Sequence, residues 1–143
     1  HSSTELRKLL PTRQVMKFIS RVALIREFPV GYALSYGRTF ITSKDTRVAY
    51  IPIGYADGYP RALSNKGSVL INDKRHDVVG RICMDWFLVD ITGDKRVNVN
   101  DEVILLGKSV TDCITADEIA EISETIPYEI LCKISKRVIR VYK

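Results

Sequence analysis

The hydrophobic period of this 143-residue chain changes close to Thr115, and that change limits the folds open to it. Before it, apolar and polar residues alternate in short runs, the pattern of strands with one buried face. QVMKFISRVALIRE, from Gln14 to Glu27, reads as one long strand. GYALSYGRTF reads as a turn and a second strand, and TRVAYIPIGY, with its β-branched and aromatic residues, as a third. ADGYPRALSNKG holds three turn formers and predicts a surface loop. SVLIND and HDVVGRI flank a turn around Asp73–Lys74, as in a hairpin. RICMDWFLVDI predicts a two-faced strand, with Met84, Trp86, Leu88 and Asp90 on one side and Cys83, Asp85, Phe87 and Val89 on the other. DEVILLG predicts a further short strand.

Beyond that point the spacing is helical. Thr115 stands three residues before Glu118, a capping-box signature, and Pro127 permits a second helix start. RVIRVY alternates again and predicts a closing strand. Many short strands with two late helices imply a mainly β fold, a Greek-key-like barrel or sandwich with two short helices near the C-terminus. The length suits one domain with a real core. Residues 1–13 read as a connector with a short helix, and 14–143 as the β domain. The chain opens HSSTELRKLL without an initiator methionine, so a piece of a longer protein is expected.

Charge and cysteine usage exclude some classes. Net charge is +5, from 22 basic and 17 acidic residues, which is compatible with an anionic partner. The basic residues are spread out except in KISKRVIRVYK, so no nucleic acid is expected as partner. No apolar run approaches the roughly 18 residues that cross a bilayer, so no membrane is expected either. Cys83, Cys113 and Cys132 are odd in number and widely spaced, and His1 and His76 are isolated. That fits neither a disulfide framework nor a metal site, and reduced cytoplasmic thiols are expected.

Four of the seven tyrosines, Tyr36, Tyr50, Tyr55 and Tyr59, fall within residues 33–61, beside Gly37, Gly54 and Gly58. Glycine lets backbone approach closely, and tyrosine joins a large apolar ring to one polar handle. Taken residue by residue, two readings stay open. Tyr36 packs at a strand start, Tyr128 on a helix face, and Arg81 forms a surface ion pair; or these groups face a ligand.

SYGRTF, PIGYADGYPR, GRICMD and TIPYEI, in that order, resemble the C-terminal domain of alanine racemases, and the likeness runs from about Leu10 to Tyr142. The resemblance implies an isomerase acting on L- and D-alanine, which supplies D-alanine for peptidoglycan precursors. It also implies pyridoxal 5'-phosphate, held mainly by a lysine of an N-terminal TIM-type barrel. Such a barrel needs about 250 residues, more than this chain offers. The active site then lies between the barrel of one subunit and the β domain of the second subunit in a homodimer.

By the same resemblance Tyr36 is the acid/base that exchanges the Cα proton on one face. A tyrosine hydroxyl titrates near 10, so that role needs a neighbouring positive charge or donor. The Met84 backbone N–H binds the alanine carboxylate, and Tyr128 meets the cofactor phosphate. Tyr55, Asp57 and Arg61 belong to the entrance, Arg81 lines the substrate path, and Asp85 fixes local geometry. Tyr50 and Tyr59 are left as packing or surface aromatics. Trp86 departs from the polar residue often found after CMD, which leaves serine or a broader amino-acid set as alternatives to alanine. The chain alone is expected to lack racemase activity and tight cofactor binding. The competing readings are a basic β-barrel module for single-stranded nucleic acid and a purely structural dimerisation domain.

Overall fold

The computed structural model describes residues 15–142; the connector expected over 1–13 lies outside them. The strands are β1 (Phe18–Arg21), β2 (Leu24–Phe28), β3 (Ala33–Leu34), β4 (Phe40–Ile41), β5 (Thr46–Ile51), β6 (Ser68–Ile71), β7 (Lys74–Val79), β8 (Phe87–Asp90), β9 (Glu102–Lys108) and β10 (Cys113–Ile114). The helices are α1 (Ala116–Ile122) and α2 (Pro127–Lys133). One antiparallel sheet runs β1-β9-β6-β7-β8-β5-β2, with β10 also on β9, and β3–β4 form a small separate hairpin. β6, β7 and β8 are consecutive neighbours and β9 returns beside β6, which is the Greek-key order. The two ends of the sheet, β1 and β2, are joined by Val22 and Ala23 alone. The sheet must therefore curl until its edges meet.

That join corrects the single long strand expected from Gln14 to Glu27. Alternation continues across Val22, yet the Val22 N–H donates to Asp101 and the Ala23 N–H to Tyr50, on opposite ends of the sheet. The hairpin turn is Asn72–Asp73, one residue earlier than expected, and both residues have positive φ. ADGYPRALSNKG is not simply a surface loop. Together with the preceding Tyr55 it folds into two 3-10 turns, Tyr55–Asp57 and Arg61–Leu63, and buries Tyr59 and Leu63. RVIRVY forms no strand among the described residues, because it meets no pairing edge. The two helices start where expected: the Thr115 hydroxyl accepts from the Glu118 N–H at 3.1 Å, and Pro127 opens α2.

The core has two parts. The larger packs Ala49, Ile51, Val78, Phe87 and Val89 with Leu105, Ile119 and Ile130. The smaller holds Leu34, Val48, Val79 and Leu88, with Phe28, Phe40 and Tyr50 against it. Neighbouring residues of β5, β7 and β8 thus serve opposite clusters, so both faces of these strands are covered. The smaller cluster seats the β3–β4 hairpin on the sheet. Arg75 of β7 donates to Asp112, Glu118 and the Cys113 carbonyl, which ties the start of α1 to the sheet.

Candidate functional site: a cleft between the hairpin loop and the 81–86 turn

RICMDWFLVDI becomes a strand only from Phe87 onward; Arg81 to Trp86 form a turn. Cys83 is buried while Met84, Asp85 and Trp86 are all exposed, so alternation fails here. The reason is a set of bonds, one within the turn and four from distant segments. The Cys83 N–H donates to the Trp86 carbonyl (2.9 Å), the Tyr55 N–H to Cys83 (3.0 Å) and the Ala56 N–H to Met84 (3.0 Å). The Ser35 hydroxyl donates to the Arg81 carbonyl (2.7 Å), and the Ile82 N–H to the Ser64 hydroxyl (3.0 Å). Each satisfies backbone that a strand partner would otherwise hold.

The facing wall is the loop between β3 and β4. It turns at Ser35 (φ 61°, ψ 178°), Gly37 (φ 73°) and Arg38 (φ 51°), and it presents Tyr36 with 70% of its surface exposed. The Ser35 conformation is one that glycine alone adopts readily, so this backbone is held under strain by its surroundings. Its neighbours are Arg81, whose guanidinium carbon would lie 3.2 Å from a Cβ at Gly37, and Gly80, where a Cβ would meet that of Ser35 at 2.6 Å.

Between these walls lies an open cleft of about 410 Å³. It brings together Tyr36, Tyr55, Arg61, Arg81, Met84 and Asp85, all expected at a site, along with Ile82, Cys83 and Trp86. Tyr128 is not among its lining residues. It sits in the first turn of α2, 75% exposed, and has no hydrogen-bond partner among the described residues. Tyr59 is core, stacked on Phe87 at 4.9 Å, and burial pushes its hydroxyl well above the ordinary range. Tyr50 stacks on Trp86 at 5.2 Å, and burial raises its hydroxyl against the lowering pull of Arg26.

The electrostatics favour an anion. Among the described residues neither Arg61 nor Arg81 has a carboxylate within 4.0 Å, and the Met84 N–H has no acceptor. Asp85 is the one lining acid, and it accepts from the Arg137 guanidinium at 2.7 Å. Arg137 also lies 3.4 Å from Asp57, whose other carboxylate oxygen accepts from the Gly54 N–H at 2.9 Å. These carboxylates hold the Arg137 guanidinium above its usual range, Asp85 first. Arg137 was missed from the sequence: 52 positions separate it from Asp85, and the basic tail was its only trace. Among the described residues no group of three His, Cys, Asp or Glu side chains is placed to hold a metal, and no helix is long and apolar enough to cross a membrane.

The family model described as "Alanine racemase, C-terminal domain" matches residues 15–142. The chain belongs to that family. It is 43% identical over 141 residues to the alanine racemase of Halothermothrix orenii, covering 99% of this chain and 37% of that protein. The alanine racemase of Streptomyces lavendulae superposes with a TM-score of 0.91 at 39% identity, over 99% of this chain and 37% of that one. The Bartonella henselae alanine racemase, solved with covalently bound pyridoxal phosphate, gives 0.87 at 37% identity, over 94% of this chain and 36% of that one. The mainly β fold with two short helices is thus the fold of an alanine racemase C-terminal domain. This chain spans 37% of the length of its H. orenii relative, so the family's β domain is the part described here.

Proposed function

We propose that this chain is the β-domain part of an alanine racemase that interconverts L- and D-alanine, working in a homodimer against a barrel domain of the longer protein. The observation that carries the proposal is the cleft itself. It joins an exposed tyrosine to an unpartnered backbone N–H and two guanidiniums without carboxylate partners. A carboxylate accepts strongly from such donors. With the carboxylate on the Met84 N–H, Cα and its hydrogen would face the Tyr36 wall. Tyr36 as its phenolate would then accept the Cα proton of L-alanine and become the phenol, and as the phenol would donate that proton when the reaction runs from D-alanine. Arg81, whose guanidinium lies beside Gly37, places a cation next to that loop. Arg137, through Asp85 and Asp57, keeps the turn and the entrance loop in register. Tyr55 and Arg61 guard access. No observation favours a single-stranded nucleic acid.

The donors suit a group that carries an anionic end. Tyr128 would meet the phosphate of pyridoxal phosphate, and the cleft residues would line the substrate side. When bound, the cofactor supplies an electron sink that acidifies the Cα–H bond. The relative with covalently bound pyridoxal phosphate supports that group as the cofactor.

Racemisation by the full-length protein tests the reading, with deuterium incorporation at Cα followed from each enantiomer. Tyr36→Phe should lower turnover by about 10²–10⁴-fold, the usual contribution of a positioned acid/base. Exchange from L-alanine should suffer more than exchange from D-alanine. Equal turnover in Tyr36→Phe and wild type would leave Tyr36 a packing residue.

A further inference from the structure

The Cys83–Trp86 turn carries Met84 at its tip, and its last residue is gripped from outside the turn. Trp86, the only tryptophan in the chain, stacks on Tyr50 with planes 14° from parallel. Tyr50 pairs with Leu88 across β5 and β8, so Trp86, two residues earlier, lies diagonally opposite it, where long rings meet. Tyr50 in turn packs against the smaller core cluster with Phe40. Phe40 and Leu34 are directly paired at the root of the loop that presents Tyr36. One apolar stack therefore runs from the base of the Tyr36 loop through Tyr50 to Trp86 on the cleft wall.

We infer that Trp86, clamped by Tyr50, is a positioning and specificity residue, an inference that rests on the racemase reading. It fixes the separation between the Met84 N–H and Tyr36, and its ring fills the side of the cleft that a larger amino-acid side chain would need. Its contact with the turn is also covalent and hydrogen-bonded, since its own carbonyl closes the Cys83–Trp86 turn. Unclamping the ring loosens Met84, and removing it opens volume beside Met84. The first change weakens carboxylate binding; the second relaxes selection by side-chain size.

The test compares racemisation of L-alanine, L-serine and L-leucine by the full-length protein, as wild type, Trp86→Phe, Trp86→Ala and Tyr50→Leu, all with pyridoxal phosphate. Trp86→Ala should raise KM for L-alanine about tenfold with kcat within about threefold, and move the kcat/KM ratio toward serine and leucine by about tenfold or more. Trp86→Phe should restore most of both. Tyr50→Leu, which keeps the indole but frees it, should shift both quantities in the same direction by less. A purely structural Trp86 would lower the unfolding midpoint and leave the substrate ratios unmoved, which overturns the inference. If Trp86→Ala does not fold, the ratio for Tyr50→Leu against Trp86→Phe decides in the same way. A wild-type protein that racemises no amino acid overturns the racemase reading, and this inference with it.

Discussion

A methyl group at position 54 would sit 2.2 Å from the Met84 carbonyl oxygen and 2.3 Å from that of Cys83. The Gly54 backbone is extended (φ −147°), so space alone requires glycine there. Its bareness lets the Tyr55 and Ala56 N–H groups reach the two carbonyls that fix the turn. Gly93 makes the opposite case, with φ +82° and nothing within 4 Å of an added Cβ. Gly54→Ala must push the 81–86 turn outward, an overpacking cost of about 1–3 kcal/mol plus weakened backbone bonds. Gly93→Ala meets only the left-handed penalty, about 1 kcal/mol. Urea unfolding should rank Gly54→Ala as the more destabilised of the two. Equal losses would mean that the turn yields freely and Gly54 is not its spacer.

Among the elements, α1 is short and leans on its cap. Its seven residues follow Thr115, whose side chain satisfies the Glu118 N–H. Thr115→Ala should cost about 1 kcal/mol, and Thr115→Ser almost nothing, as read from denaturant midpoints. Unchanged midpoints in Thr115→Ala would show that Arg75 and the buried Ile119 hold the helix without its cap. This helix was legible because its signals are local: a capping residue, acidic residues in its first turn, and apolar spacing. β5, β6 and β9 were legible for the same kind of reason. The 81–86 turn was not, since the bonds that make it come from Ser35, Tyr55, Ala56 and Ser64. RVIRVY failed in the converse way: it alternates like a strand, but a strand needs an edge to pair with. The cleft was legible through three of the four ordered motifs, which hold eight of its nine lining residues, six of them expected at a site. Ile82 and Cys83 join it only because the turn brings them there, and Arg137 because the chain folds back upon Asp85.

The whole molecule answers to pH through groups far from the cleft. His76 of β7 is buried, and burial pushes it below its ordinary 6.5, against the raising influence of Asp90 and Asp94. Its Nε2 lies 3.6 Å from an Asp94 oxygen and makes no hydrogen bond, while Lys74 and Arg96 share the same carboxylate. The folded chain therefore takes up this proton less readily than the unfolded one. The stability linked to His76 is full above 6.5 and is lost as pH falls below it. Asp94 is held down to about 2, chiefly by the Arg96 guanidinium, so its contribution is present above 3.8 and disappears as pH drops toward 2. Tyr59 acts at the other end: its raised hydroxyl ionises later in the folded chain than at the ordinary 10.0, so stability is lost above that value. Unfolding free energy should thus form a plateau between about 6.5 and 10, with a first acid step from the histidine and a second from the aspartate. His76→Gln should flatten the step between pH 7 and 5 and leave the decline below pH 4 in place, because His76 is the one histidine among the described residues. Matching slopes for wild type and His76→Gln across that window would mean that the buried imidazole keeps its ordinary affinity for protons.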